Sequence, residues 1–147
     1  MKSILFAALL LSATVAAAAP IAIHHPHSHP TAAPGVPAVG FVTLTNPGPA
    51  ADRLIAVSSP LAGRIEIHQT QMQDGVMKMR ALADGLALPV GEAVVLAPGG
   101  LHLMLFGLRQ PLVEGQSLPV TLTFERAAAV TVQFKVEPRA ASTHQHH

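Results

Sequence analysis

The chain has 147 residues, with 9 Lys plus Arg, 8 Asp plus Glu and 9 His, so its formal net charge is +1; 50% of it is hydrophobic, 3% aromatic, and it contains no Cys, Trp or Tyr. Near-neutral charge without a basic stripe, and the lack of Trp and Tyr platforms on which bases stack, argue against nucleic-acid binding. Zero cysteine excludes a disulfide framework, thiolate metal ligands and a cysteine nucleophile.

Residues 1–19 carry Lys2, an apolar run over 4–11 and small residues from Ala13 to Ala19, the tripartite plan of a secretory signal. Cleavage after Ala17, Ala18 or Ala19 satisfies the Ala-x-Ala rule equally well. The apolar run falls short of the roughly 20 residues a transmembrane helix needs, and no later stretch reaches it, so no membrane span is expected. Removing the signal takes away Lys2 and leaves basic and acidic residues balanced, in a chain of ordinary single-domain size.

Residues 20–38 form a His/Pro-rich N-terminal segment. Within it, IHHPHSHPTAAPGVP over 23–37 reads as a linker or an irregular edge, because prolines remove ladder donors and favour extended conformations. From residue 39 onward, short β-rich runs alternate with turn signals. Residues 40–45 alternate and stop at Asn46-Pro47-Gly48; 54–58 end at Ser59-Pro60; 64–68 and 76–80 flank Asp74-Gly75 and read as a hairpin. Further runs cover 93–96, 101–106, 118–124 and 130–136. About eight short strands and no convincing amphipathic helix predict one all-β domain over 39–137, an antiparallel sandwich or barrel. The tail, 138–147, has no apolar period and is expected to be disordered.

Two histidines, His68 and His102, stand alone in the body of the chain, and the other seven cluster near its ends. The pattern is His68, ten residues, Met79, twenty-two residues, then His102-Leu103-Met104. In a strand, residues i and i+2 share a face, so His102 and Met104 project together, and the hairpin can bring Met79 across to His68. Two imidazoles and two thioethers are soft ligands suited to Cu(I) and unsuited to zinc. A strand methionine is ordinarily core filler and a histidine in an apolar run ordinarily a hydrogen-bonded structural residue, so spacing by itself leaves both readings open. Met77 shares the face of Met79 and is read as core, with an auxiliary thioether as the alternative. Met72 is placed on the surface or rim. Glu66 is either a solvated side chain or the acceptor that orients His68.

The stretch DRLIAVSSPLAGRIEIHQTQMQDGVMKMR, followed by LAPGGLHLMLFGL, resembles the periplasmic copper chaperone family PCuAC, whose pattern is His-x10-Met-x21-His-x-Met. The resemblance covers about residues 39–136. It implies Cu(I) ligands at His68, Met79, His102 and Met104, a cupredoxin-like Greek-key β-sandwich or barrel, a periplasmic location, and delivery of copper to the CuA centre of cytochrome c oxidase or to another periplasmic copper chaperone. The second spacer is one residue longer here, an insertion assigned to the region 83–92. Family members begin with a strand of D-x-W-x-R type where this chain has His24-His25-Pro26-His27-Ser28-His29. Those histidines are candidates for an additional Cu(II) site, with a solvated arm as the alternative, and His144, His146 and His147 in the tail are candidates for weak Cu(II) or Zn(II) capture, with an inert tail as the alternative.

A transfer protein, acting as a monomer, is the expected class. No catalytic motif of the G-x-S-x-G kind and no clear carboxylate pair supports an enzyme, and blue-copper electron transfer needs a cysteine thiolate. Copper sequestration for tolerance would use the same ligands. A secreted β-sandwich interaction module, with the histidines and methionines as packing, would bind no copper at them.

Overall fold

The structure, a computed structural model, describes residues 20–139. The predicted signal and the tail histidines lie outside the described residues. Ten strands and no helix make up the described part: β1 (Ala22–Ser28), β2 (Ala38–Thr45), β3 (Asp52–Ser58), β4 (Arg64–Gln73), β5 (Val76–Ala81), β6 (Leu86–Leu88), β7 (Ala93–Leu96), β8 (Leu101–Phe106), β9 (Ser117–Phe124) and β10 (Val130–Val136). They form one sheet in the order β5-β4-β8-β7-β2-β1-β10-β9-β3-β6, with β2 also pairing β8. Near the two ends of that order, β3 and β4 pack together, so the sheet curls around a single core.

Side-chain alternation builds that core. Leu118, Val120, Leu122 and Phe124 of β9 point inward with Val42 and Leu44 of β2, Leu103 and Leu105 of β8, and Phe134 and Val136 of β10, all buried. The intervening residues face outward, as period 2 requires. The sheet is mixed rather than purely antiparallel: β1 runs parallel to β10, and β7 touches β8 in parallel at Leu96↔Leu101. The first and last strands share no short hairpin that would force them antiparallel.

Residues 22–28, which open the stretch read from its prolines as a linker or irregular edge, are a strand seated between β2 and β10. Pro26 falls where the β1–β2 register shifts between His24 and His27, and His25 there takes a positive φ of 47°. The missing N–H of proline therefore coincides with a bulge and costs no ladder bond. Ile21 is buried just before the strand and Ser28 is fully buried at its end, where the Ser28 hydroxyl donates to the Val39 carbonyl. The three-residue β6, absent from the sequence reading, is held by burial of Leu86 and Leu88.

Candidate metal centre

Strands β4, β8 and β5 carry the predicted ligands on one outward face. The β4–β8 register sets His68 directly opposite His102 and Glu66 opposite Met104, while Ile67, Leu103 and Leu105 between them enter the core. Directly opposed antiparallel residues share a face, so both imidazoles and the Met104 thioether project together. The rings of His68 and His102 lie 5.7 Å apart, centroid to centroid.

The hairpin closes through Asp74 and Gly75, with φ of 52° and 76°. Positive φ at both central residues is the primed turn that matches strand twist. Its register pairs Thr70 with Met79 and His68 with Ala81, which puts Met79 diagonally beside His68 on the ligand face. Met79 and His102 line one hollow of about 300 Å³ with Val39, Phe41, Thr70 and Met77. All four predicted ligands thus reach one face, over three adjacent strands.

Burial divides them. His102 is 5% exposed and Met79 61% exposed, with His68 and Met104 between. Met77, read as core, is 61% exposed, because β5 is the edge strand and nothing covers either of its faces. Met72, expected at the surface, is exposed there.

Hydrogen bonding settles which nitrogen each ring presents. His102 Nδ1 donates to the Gly100 carbonyl at 3.1 Å, and His68 Nε2 donates to Glu66 Oε2 at 2.7 Å. A carbonyl and a carboxylate can only accept, so each bonded nitrogen carries the ring proton and the other nitrogen offers a lone pair. Those other atoms, His102 Nε2 and His68 Nδ1, are the only buried side-chain nitrogens or oxygens without a partner among the described residues. Two orphaned lone pairs on facing residues are what a metal would satisfy.

Glu66 also accepts from Arg64 Nε at 2.9 Å, and the Arg64 guanidinium lies 4.2 Å from the centre of the Phe106 ring. The bond to His68 first, and that to Arg64 second, hold the Glu66 carboxyl below its ordinary range. Glu66 is thus the acceptor that orients His68.

A second group of donors, His25, His27 and Glu137, gathers where β1 meets the end of β10. The sequence reading named the two histidines and missed Glu137, which is 110 residues from His27 and carries no local signal.

A profile of the family described as "Putative lipoprotein LpqE-like" matches residues 21–136. A curated relative, "Putative lipoprotein Lxx21020" of Leifsonia xyli subsp. xyli, is 33% identical over 97 residues, covering 66% of this chain and 58% of the relative, so the match spans little more than half that protein's length. Among solved structures, the copper-bound PCuAC domain from PmoF2 superposes with a TM-score of 0.68 at 28% identity, over 83% of this chain and 96% of that domain. The Cu(I) form of DR1885 from Deinococcus radiodurans superposes with a TM-score of 0.57 at 26% identity, over 78% and 77%. The fold is that of the PCuAC domains, a cupredoxin-like β-barrel.

Proposed function

The chain belongs to the LpqE-like family, and from the geometry of its outward face we propose that it is a Cu(I)-binding metallochaperone, with His68, Met79, His102 and Met104 as ligands. The observation that carries this reading is the pair of buried, unpartnered nitrogens on His68 and His102, flanked on the same face by two thioethers. The copper-bound state of similar domains supports the choice of metal.

Copper is cargo here, and the gradient of exposure suits its transfer. His102, anchored through Gly100, and His68, anchored through Glu66, form the fixed side of the site. Met79 stands on an exposed edge hairpin, so a recipient's ligand can displace that thioether first while the imidazoles still hold the ion. Neutral sulfur and imidazole donors favour the monovalent, soft ion and release it without breaking a thiolate bond. We assign the protein to the periplasm, with the lipoprotein description of its family supporting export, and its recipient to a copper protein such as the CuA-bearing subunit of cytochrome c oxidase or another periplasmic chaperone. A non-catalytic, monomeric carrier needs nothing further from this fold.

Competition for Cu(I) against a chromophoric chelator under reducing conditions tests the site. One tight equivalent is expected, weakened at least about 100-fold in His102→Ala and in Met104→Ala, since ligand loss must cost at least as much as losing an outer-shell support. Tight binding that survives both substitutions would refute the assignment.

A further inference from the structure

The donors at the start of β1 are built into a site of a different chemical kind. The bulge at Pro26 turns His25 so that its ring stacks on that of His27, with centroids 4.0 Å apart and planes at 14°. The parallel pairing of Ser28 with Val136, continued by the bond from Glu137 N to Ser28 O at 2.9 Å, brings Glu137 beside them. Both carboxylate oxygens of Glu137 lie about His25 Nε2, at 3.1 and 3.0 Å.

His27 is prepared as a ligand by its own hydrogen bond. Its Nδ1 donates to the His25 carbonyl at 2.8 Å, which leaves Nε2 as the lone-pair nitrogen, the same carbonyl-fixed tautomer seen at His102. His29 stands alongside, its Nδ1 bonded to the Glu137 carbonyl at 2.9 Å. One donor atom from each of His25, His27 and Glu137 lies within 4.8 Å of the others. Bonds of about 2.0–2.2 Å to one ion require only a small closing rotation, which the exposed His25 is free to make.

We propose that His25, His27 and Glu137 form a second metal site, selective for a borderline divalent ion and for Cu(II) ahead of Zn(II). Two imidazoles and a carboxylate contain no soft donor, so this site has no preference for Cu(I), and the divalent stability order places Cu(II) above Zn(II) at such a set. Three protein ligands leave a position for water, which keeps the ion exchangeable. The groove that holds the site, about 600 Å³, is walled by Val39 and Phe41, and the same two residues wall the hollow at Met79 and His102. The two hollows are therefore neighbours that share Val39 and the buried Phe41 as lining residues. The proposal stands on its own donors and does not depend on the Cu(I) reading.

The full chain with His144, His146 and His147 changed to Gln, which removes the tail imidazoles as competitors, is titrated in air with Cu(II) alone and with Zn(II) alone. One Cu(II) equivalent with a nitrogen-coordinated electron paramagnetic resonance signature is expected, bound more tightly than Zn(II). His27→Ala and Glu137→Gln should each weaken it at least tenfold and leave the Cu(I) equivalent unchanged. Glu137→Gln is nearly isosteric at a half-buried position, so it decides the matter if His27→Ala fails to fold. Unchanged Cu(II) affinity in Glu137→Gln, or Cu(II) lost only when His68 and His102 are replaced, would overturn the site; tighter Zn(II) binding would overturn the choice of ion.

Discussion

Glu66 chooses which nitrogen of His68 faces His102. By accepting from Nε2 at 2.7 Å it leaves Nδ1 toward the ligand face, and its second oxygen is tied to Arg64, so the carboxylate cannot swing away without losing two partners. Glu66→Ala frees the ring to take either tautomer and either rotamer. Removing such a support typically costs 10–100-fold in metal affinity, and a loss of about that size is expected for Cu(I) with the thermal unfolding midpoint unchanged. Equal affinity in the variant would take Glu66 out of the site. At this scale the shared face of His68, Met79, His102 and Met104 was readable because period 2 assigns faces without knowing the fold, whereas their reading as a ligand set rested on the family resemblance. Met77 was misread for the complementary reason: parity tells that it shares a face with Met79, and only the position of β5 at the sheet edge tells that the face is open.

Two elements show what local sequence can and cannot carry. Asp74-Gly75 encodes the β4–β5 hairpin by itself, since few residue pairs tolerate two successive positive φ values. The turn after β5 depends on its neighbours. Gly85, at φ 83°, lies so close to β3 that a Cβ there would collide with the Leu54 carbonyl oxygen. Gly85→Ala thus meets both an unfavourable backbone region and a backbone atom that cannot yield, and a loss of at least about 1–3 kcal/mol is expected, measured by denaturant unfolding at neutral pH. A variant as stable as the parent would show that β6 can shift away from β3. The element most poorly read was β1: Pro26 within it and Pro30, Pro34 and Pro37 after it resemble the prolines of a linker, and its partners, β2 and β10, are respectively nearby and at the far end of the chain. Because it is a central strand, deleting the N-terminal histidine segment would remove a piece of the sheet, and substitutions are the appropriate way to silence it.

On the scale of the whole molecule, Asp52 ties the start of β3 to the connection between β9 and β10. It is 8% exposed and accepts from the backbone N–H groups of Arg53 at 2.7 Å, Arg126 at 2.9 Å and Ala127 at 2.9 Å. Burial works against its ionisation, but those three bonds outweigh it and hold the carboxyl below its ordinary 3.8. A depressed folded-state value means that the unfolded chain binds the proton more readily, so the stabilisation is complete above 3.8 and fades as the pH falls through the folded-state value. Asp52→Asn is expected to lose about 1.5–3 kcal/mol at neutral pH, the usual worth of a charged hydrogen-bonding group. Its gap to the parent should narrow below pH 3.8. Denaturant unfolding at both pH values checks this, and a gap independent of pH would assign the effect to shape rather than charge.

Sequence alone determined the all-β class, seven of the ten strands to within a few residues, and a pattern of soft candidate donors free of thiolate. These are properties of periodicity, turn chemistry and donor type, which need no knowledge of distant partners. Tertiary structure alone decided the rest. Register made His68 and His102 exact cross-strand neighbours, hydrogen bonds to Glu66 and Gly100 left one lone pair on each ring without a partner, and the parallel seating of β1 against β10 delivered Glu137 to His25 and His27. The physical reason is the same in each case: which donors meet, and which nitrogen they present, depends on strand pairing between segments far apart in the chain, and no local pattern encodes that pairing.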